Sequence, residues 1–286
     1  LGAVGALLVL LARDRFLPLA GFALLGIGTA GLARSLVGDD DLELLFTEPR
    51  GIALVGVGVV AAFLGAVPFV RYPEVTPVAL LAVAPIRIPI ELGSEEAFLL
   101  LALYLVLASA VLALAYRVAR GSQPAAGPLF LVGPLAALVG FASVSYLWTW
   151  DERAGAIALA FFVFPFTAGF AVVARTPVAA WLPRALAATV VVLGVLFAAI
   201  GIWQSHTRTV FFARDVEVAN AYTSFFRVTS LFKDPSLYGR YLVIPIAVLL
   251  VAILIRRGRT VDWVVASAFV AFLFWGLFFS YSQSSF

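Results

Sequence analysis

Apolar runs of about twenty residues, recurring with short charged breaks between them, constrain this chain more than any other feature. A helix rises about 1.5 Å per residue, so crossing a hydrocarbon layer of about 30 Å takes about twenty residues with few or no charges. Runs bounded by charges fall at 1–12, 16–37, 51–70, 74–90, 97–116, 128–148, 154–174, 183–204, 238–255 and 261–281. Of the 286 residues, 63% are hydrophobic and 12% charged, about half the charged fraction of a soluble domain. In lipid every backbone N–H and C=O must be satisfied within the protein, which makes such runs helices. The expected fold class is all-α, a polytopic transmembrane helix bundle of about ten spans forming one transmembrane domain over 1–286.

Leu1 to Leu11 is too short to span alone, and because the apolar segment continues up to the first residue a cleaved signal peptide is not expected. Phe286 falls in a polar run, and the expectation is a fragment of a longer protein. The absence of cysteine from the sequence excludes disulfides, thiolate metal sites and a cysteine nucleophile. Pro68, Pro85, Pro134, Pro165 and Pro245 fall inside spans, where neighbouring helices are expected to satisfy the carbonyls that proline frees. Pro85 and Pro89 flank Arg87, and a break is expected near the end of that helix.

Arginine placement orients the spans. One set of loops carries Arg13, Arg15, Arg71, Arg117, Arg120, Arg175, Arg184, Arg256, Arg257 and Arg259 with only Asp14, Glu74 and Asp262, ten cations to three acids. The alternate short loops carry Arg34, Arg50, Arg87 and Arg153 with Asp39, Asp40, Asp41, Glu43, Glu48, Glu91, Glu95, Glu96, Asp151 and Glu152, four cations to ten acids. The positive-inside rule places the first set in the cytoplasm. Strict alternation over ten spans supports the span assignment itself.

Residues 206–240 break the pattern. They fall on the acidic side yet hold Arg208, Arg214, Arg227, Lys233 and Arg240 against Asp215, Glu217 and Asp234. This is the longest connection in the chain, and long irregular connections often carry function. Asp234-Pro235-Ser236 reads as a helix start, with an acidic cap and proline in the first turn. Free N–H groups there add positive potential to Arg227, Lys233 and Arg240. The combination suits a multiply charged anion, a pyrophosphate in particular, which arginine grips through paired hydrogen bonds. The competing reading is that the cations snorkel to headgroups or hold anionic lipid, with Asp234 only a cap and partner of Lys233. Phe279-Ser-Tyr-Ser-Gln-Ser-Ser closes the last span on the same side, either as a polar helix end or as a source of neutral donors, Gln283 and Ser284, to the same cavity. His206 and the Trp148/Trp150 pair read first as interfacial residues.

Pro85-Ile-Arg-Ile-Pro-Ile, Gly201-Ile-Trp-Gln, the block Arg227-Val-Thr-Ser-Leu-Phe-Lys-Asp-Pro, cytoplasmic Arg256-Arg-Gly-Arg and Ser280-Tyr-Ser-Gln-Ser-Ser occur in that order. Together they resemble the O-antigen ligase/polymerase family, most specifically over Gly201 to Phe286. The resemblance implies a GT-C-like bacterial membrane glycosyltransferase in the cytoplasmic (inner) membrane. It implies a donor glycan on undecaprenyl pyrophosphate, a glycan or lipid acceptor, contact with membrane lipids, and no cofactor or metal. It casts Arg227, Arg240 and Lys233, with Gln283 and Ser284, as substrate-binding. Where the family often has Ser-Arg-Gly, this chain reads Ser282-Gln283-Ser284, and a general-base histidine is expected beyond Phe286. No nucleic-acid partner is expected. A polytopic transporter or flippase of lipid-linked or anionic substrates is the alternative, and a lipid-binding scaffold a third reading.

Overall fold

The computed structural model describes residues 1–14, 16–36, 48–86, 88–92, 95–122, 127–211, 213–223, 225–255 and 260–281. Side chains at 49, 50, 54, 88–92, 95–99 and 214 are not described. The acidic run Asp39–Asp41, Arg87, residues 256–259, Gln283 and Ser284 lie outside the described residues.

The element order is α1 (Gly2–Leu11), α2 (Leu17–Leu36), α3 (Pro49–Arg71), a 3₁₀ turn (Pro73–Val75), α4 (Thr76–Val83), β1 (Ile88–Leu92), β2 (Glu95–Leu99), α5 (Leu101–Ala119) and α6 (Leu129–Ser145). A second 3₁₀ turn (Tyr146–Trp148) leads to α7 (Glu152–Ala158), a π turn (Leu159–Val163), α8 (Phe164–Ala174), α9 (Leu182–Thr207), α10 (Arg214–Ala221), α11 (Pro235–Ile255) and α12 (Thr260–Phe278). Among the described residues eight helices are long and apolar enough to cross a membrane, and Gly2–Leu11 and Pro73–Val83 are shorter apolar helices. Each falls on one of the ten apolar runs. Phe63, Phe130 and Phe141 stand 60%, 76% and 68% exposed. Large aromatic surface left open along whole helices has no water-soluble explanation, and the architecture is that of a polytopic membrane bundle.

The 74–90 run differs from its expected single span. Its helix stops at Val83 and the chain turns into a two-stranded hairpin, β1 pairing antiparallel with β2 so that Ile90 meets Ala97 and Glu91 meets Glu96. Prolines at 85 and 89 remove two backbone donors and disfavour helical angles at the residues before them. The alternating isoleucines 86, 88 and 90 fit a strand. The next run, expected from 97, accordingly enters its helix only at Leu101.

The chain divides into two compact units, Leu1–Leu80 with Leu103–Ala179, and Leu81–Ala102 with Ala180–Phe286. In the first, α1 is too short to span but is built tightly into the packing, with Ala6 and Val9 wholly buried. A Cβ at Gly5 would strike the backbone of Leu25 and Gly21 on α2, so the two helices touch main chain to main chain, as small residues allow in membranes. Within the same unit Pro165 has no N–H to offer the Phe161 carbonyl one turn back. The Tyr104 hydroxyl donates to it instead at 2.8 Å, across a π turn that widens the helix there. This is the expected rescue of a proline-freed carbonyl by a neighbouring helix.

Candidate functional site

The second unit holds the 206–240 connection, and its core explains how that connection is held. Along α9 the residues Gly194, Phe197, Ala198, Gly201 and Gln204 recur every three or four positions and are all buried. They form one face, against which α11 and α12 pack. Tyr238, Leu242 and Leu273 are 0% exposed on the opposing helices, and the Tyr238 hydroxyl donates to the Gly276 carbonyl at 3.1 Å. A Cβ at Gly201 would collide with that hydroxyl.

Above this packing the chain from Phe225 to Asp234 runs as a strap. Its regular hydrogen bonds are replaced by two carboxamides. Asn220, on α10, accepts from the Arg227 N–H and donates to the Arg227 carbonyl, both at 2.9 Å, as a strand partner would. Gln204 is wholly buried. Its Oε1 accepts from the N–H groups of Ser230 at 2.7 Å and Thr229 at 3.3 Å, and its Nε2 donates to the Ser230 carbonyl at 3.0 Å. Between them the Val228 N–H donates to the Phe279 carbonyl at the end of α12, which brings the Ser280 helix end to the strap. Ser230 takes a left-handed φ of 53° and its hydroxyl donates to the Phe197 carbonyl. A non-glycine residue in that region is retained only where surroundings hold it, and here both backbone groups and the side chain of Ser230 are engaged.

Of the five predicted site residues, Arg227, Lys233 and Arg240 fall among the described residues. Arg227 is half-buried on the strap with its backbone clamped on both sides. Its Nε is fully buried and has no hydrogen-bond partner among the described residues, and the same holds for Thr229 Oγ1 and Tyr241 Oη. A buried polar atom left unpaired costs about 1–3 kcal/mol, and three occur within fifteen residues of sequence. Lys233 is exposed in the turn before α11. Arg240 is exposed on α11, about 200° around the helix from buried Tyr238, and no hydrogen bond or ring contact ties it to the strap among the described residues. Gln283 and Ser284 lie outside the described residues.

Asp234 behaves as a cap: its carboxylate accepts from the Ser236 N–H at the start of α11. His206 is exposed, with Nδ1 2.8 Å from the Ile202 carbonyl, in keeping with its bland interfacial reading. Arg208 closes α9 in a left-handed conformation, φ 54°, with its guanidinium 5.4 Å from the Phe226 ring centroid. A cation suits the negative end of a helix, and the ring contact puts a second arginine beside the residue that precedes Arg227.

Asn220 and Gln204 carry the strap, and the sequence reading assigned neither a role. For Gln204 a signal existed: it is the single amide on an apolar helix face of period three to four. For Asn220, in a short polar helix, the sequence holds no comparable mark. Comparison with protein-family models, with curated proteins and with solved structures gives no match for this chain.

Proposed function

We propose that this protein is a membrane glycosyltransferase of the O-antigen ligase or polysaccharide polymerase type. It acts at the outer face of the bacterial cytoplasmic membrane on a glycan carried by undecaprenyl pyrophosphate. The observation that carries the reading is Arg227: a guanidinium on a backbone fixed by Asn220, on a strap that Gln204 holds at Thr229 and Ser230, with a buried donor that no described protein group uses. A half-buried guanidinium on a fixed backbone is preorganised for an anion that arrives at its open side.

In the transfer an acceptor hydroxyl oxygen bonds to the anomeric carbon while the bond from that carbon to the pyrophosphate oxygen breaks. The pyrophosphate leaves with the electron pair, and the hydroxyl proton passes to a base. Negative charge grows on the leaving group, where a fixed arginine in a water-poor setting lowers the barrier. Arg208 and Lys233, on the same segment, add positive potential that draws the donor in. Arg240, on the outward face of α11, meets the lipid-linked donor as it enters from the bilayer.

A transporter or flippase is the second reading, and one observation favours it. The apolar helix Pro73–Val83 stops after about half of the chain length a full span needs and gives way to extended chain, as broken helices of transporters do. A binding experiment tests the role of Arg227, and transport in vesicles separates the two readings. A polyprenyl pyrophosphate should bind the purified full-length protein about tenfold or more tightly than the corresponding monophosphate, and Arg227→Ala should erase that preference. Equal affinity for the two lipids, or an unchanged preference in the variant, rejects Arg227 as the pyrophosphate ligand. Movement of donor across vesicles without transfer favours the flippase.

A further inference from the structure

The first unit contains a charged group that the proposed reaction does not use. Arg175, at the C-terminal end of α8, is 5% exposed and has no carboxylate within ion-pair distance among the described residues. One terminal nitrogen donates to the Ala171 carbonyl at 3.1 Å and the other to the Ala12 carbonyl at 3.2 Å. It therefore caps the carbonyl ends of α8 and α1 together, where a cation is favoured. That employs two of its five N–H donors. Burial pulls its pKa below the usual arginine range, the mark of a charge held away from water without a counter-ion.

A small cleft lies beside it, lined by Arg175, Arg117, Thr76 and Thr176 together with apolar residues that include Phe69 and Leu114. Arg117, half-buried near the end of α5, makes no side-chain hydrogen bond or ion pair among the described residues. Glu74 falls in the chain between the lining residues Pro73 and Thr76 but does not itself line the cleft. Two arginines and two threonines thus line one space with no acid among the lining residues, the Thr176 hydroxyl donating to the Val172 carbonyl. Like charges gathered in this way are costly unless an anion joins them. Basic pockets between membrane helices near the cytoplasmic surface hold anionic headgroups, and this cleft lies on the side with the arginine-rich loops.

We propose that the cleft is a phosphate-binding site on the cytoplasmic side, formed by Arg117 and Arg175 and distinct from the strap around Arg227. The ligand chemistry is a phosphate ester or phosphate ion. The cleft itself holds only about 10 Å³ open to a water-sized group, room for a single oxygen. One phosphate oxygen enters against Arg175, and the rest of the group stays at the rim with Arg117. An anionic lipid headgroup and free phosphate share that chemistry, and the experiment separates them.

The full-length protein in neutral detergent is titrated with short-chain phosphatidylglycerol, with short-chain phosphatidylcholine and with sodium phosphate, following thermal unfolding. Stabilisation by phosphatidylglycerol and not by phosphatidylcholine identifies a headgroup site, and stabilisation by millimolar sodium phosphate identifies the free ion. In either case Arg117→Gln raises the concentration for half-effect about tenfold. Arg120→Gln, an exposed arginine over the Tyr116 ring on the same helix end, leaves it unchanged. Arg175→Lys keeps a charge but loses the planar fork, and weakens the effect if it folds. The proposal is overturned if no probe stabilises the protein, or if Arg117→Gln responds as the unchanged protein or as Arg120→Gln does.

Discussion

Replacing Gln204 by leucine tests whether the strap is held as described. The side chain is wholly buried and engages three backbone groups: the N–H of Ser230 at 2.7 Å, the N–H of Thr229 at 3.3 Å and the carbonyl of Ser230 at 3.0 Å. Thr229 and Ser230 are themselves 0% exposed, so water cannot take over these bonds. Leucine has nearly the volume of glutamine and fills the space, leaving no room for a replacement water. Two well-formed bonds and one long one are lost, each orphaned group costing about 1–3 kcal/mol. Some relaxation of the Ser230 turn recovers part of that, and the expected loss is about 3–5 kcal/mol. The assay is equilibrium unfolding of the purified protein in mixed micelles titrated with a denaturing detergent. A loss under about 1 kcal/mol for leucine would refute the claim that this amide carries the strap.

Two further outcomes follow from the same geometry. Gly201→Ala puts a methyl into the Tyr238 hydroxyl and should destabilise by about 1–3 kcal/mol; the double variant with Tyr238→Phe should recover part of the loss in the same unfolding assay. Cysteines at Ser122 and Ser205 should react with an impermeant maleimide from opposite sides of the membrane, because the loops alternate between ten arginines to three acids and four to ten; labelling from one side would overturn both the topology and the outer placement of the strap.

The helices were legible because lipid imposes a single rule along each span: uninterrupted apolar character of fixed length. That rule is local in sequence, and every apolar run contains a helix. It failed where local chemistry competes with it, at Pro85 and Pro89, where hydropathy continues but the backbone cannot. The strap was legible only in outline. Its charge excess singled out Arg227, Lys233 and Arg240, and Asp234-Pro235-Ser236 marked the helix start. Charge does not report which side of a helix a residue takes, so Arg240 could not be assigned to the outward face of α11 in advance. The residues that fix Arg227 are neutral amides whose partners are backbone groups 7 and 26 positions away. A carboxamide that substitutes for a strand partner leaves no period or spacing to read. The cleft at Arg175 escaped for a related reason: its arginine was counted as one more cytoplasmic charge, and only packing distinguishes it from exposed ones such as Arg13 and Arg184.

The measurement closest to the central claim is glycan transfer from a polyprenyl-pyrophosphate donor in proteoliposomes, with the full-length protein, Arg227→Ala and Arg227→Lys at matched incorporation. If the Arg227 guanidinium binds the leaving pyrophosphate, alanine lowers the rate by about 10²-fold or more, and lysine, which has charge but no fork, fails to restore it. Near-normal transfer by the alanine variant, or full rescue by lysine, would contradict the account and leave Arg227 as a cation that anchors the strap to the lipid surface.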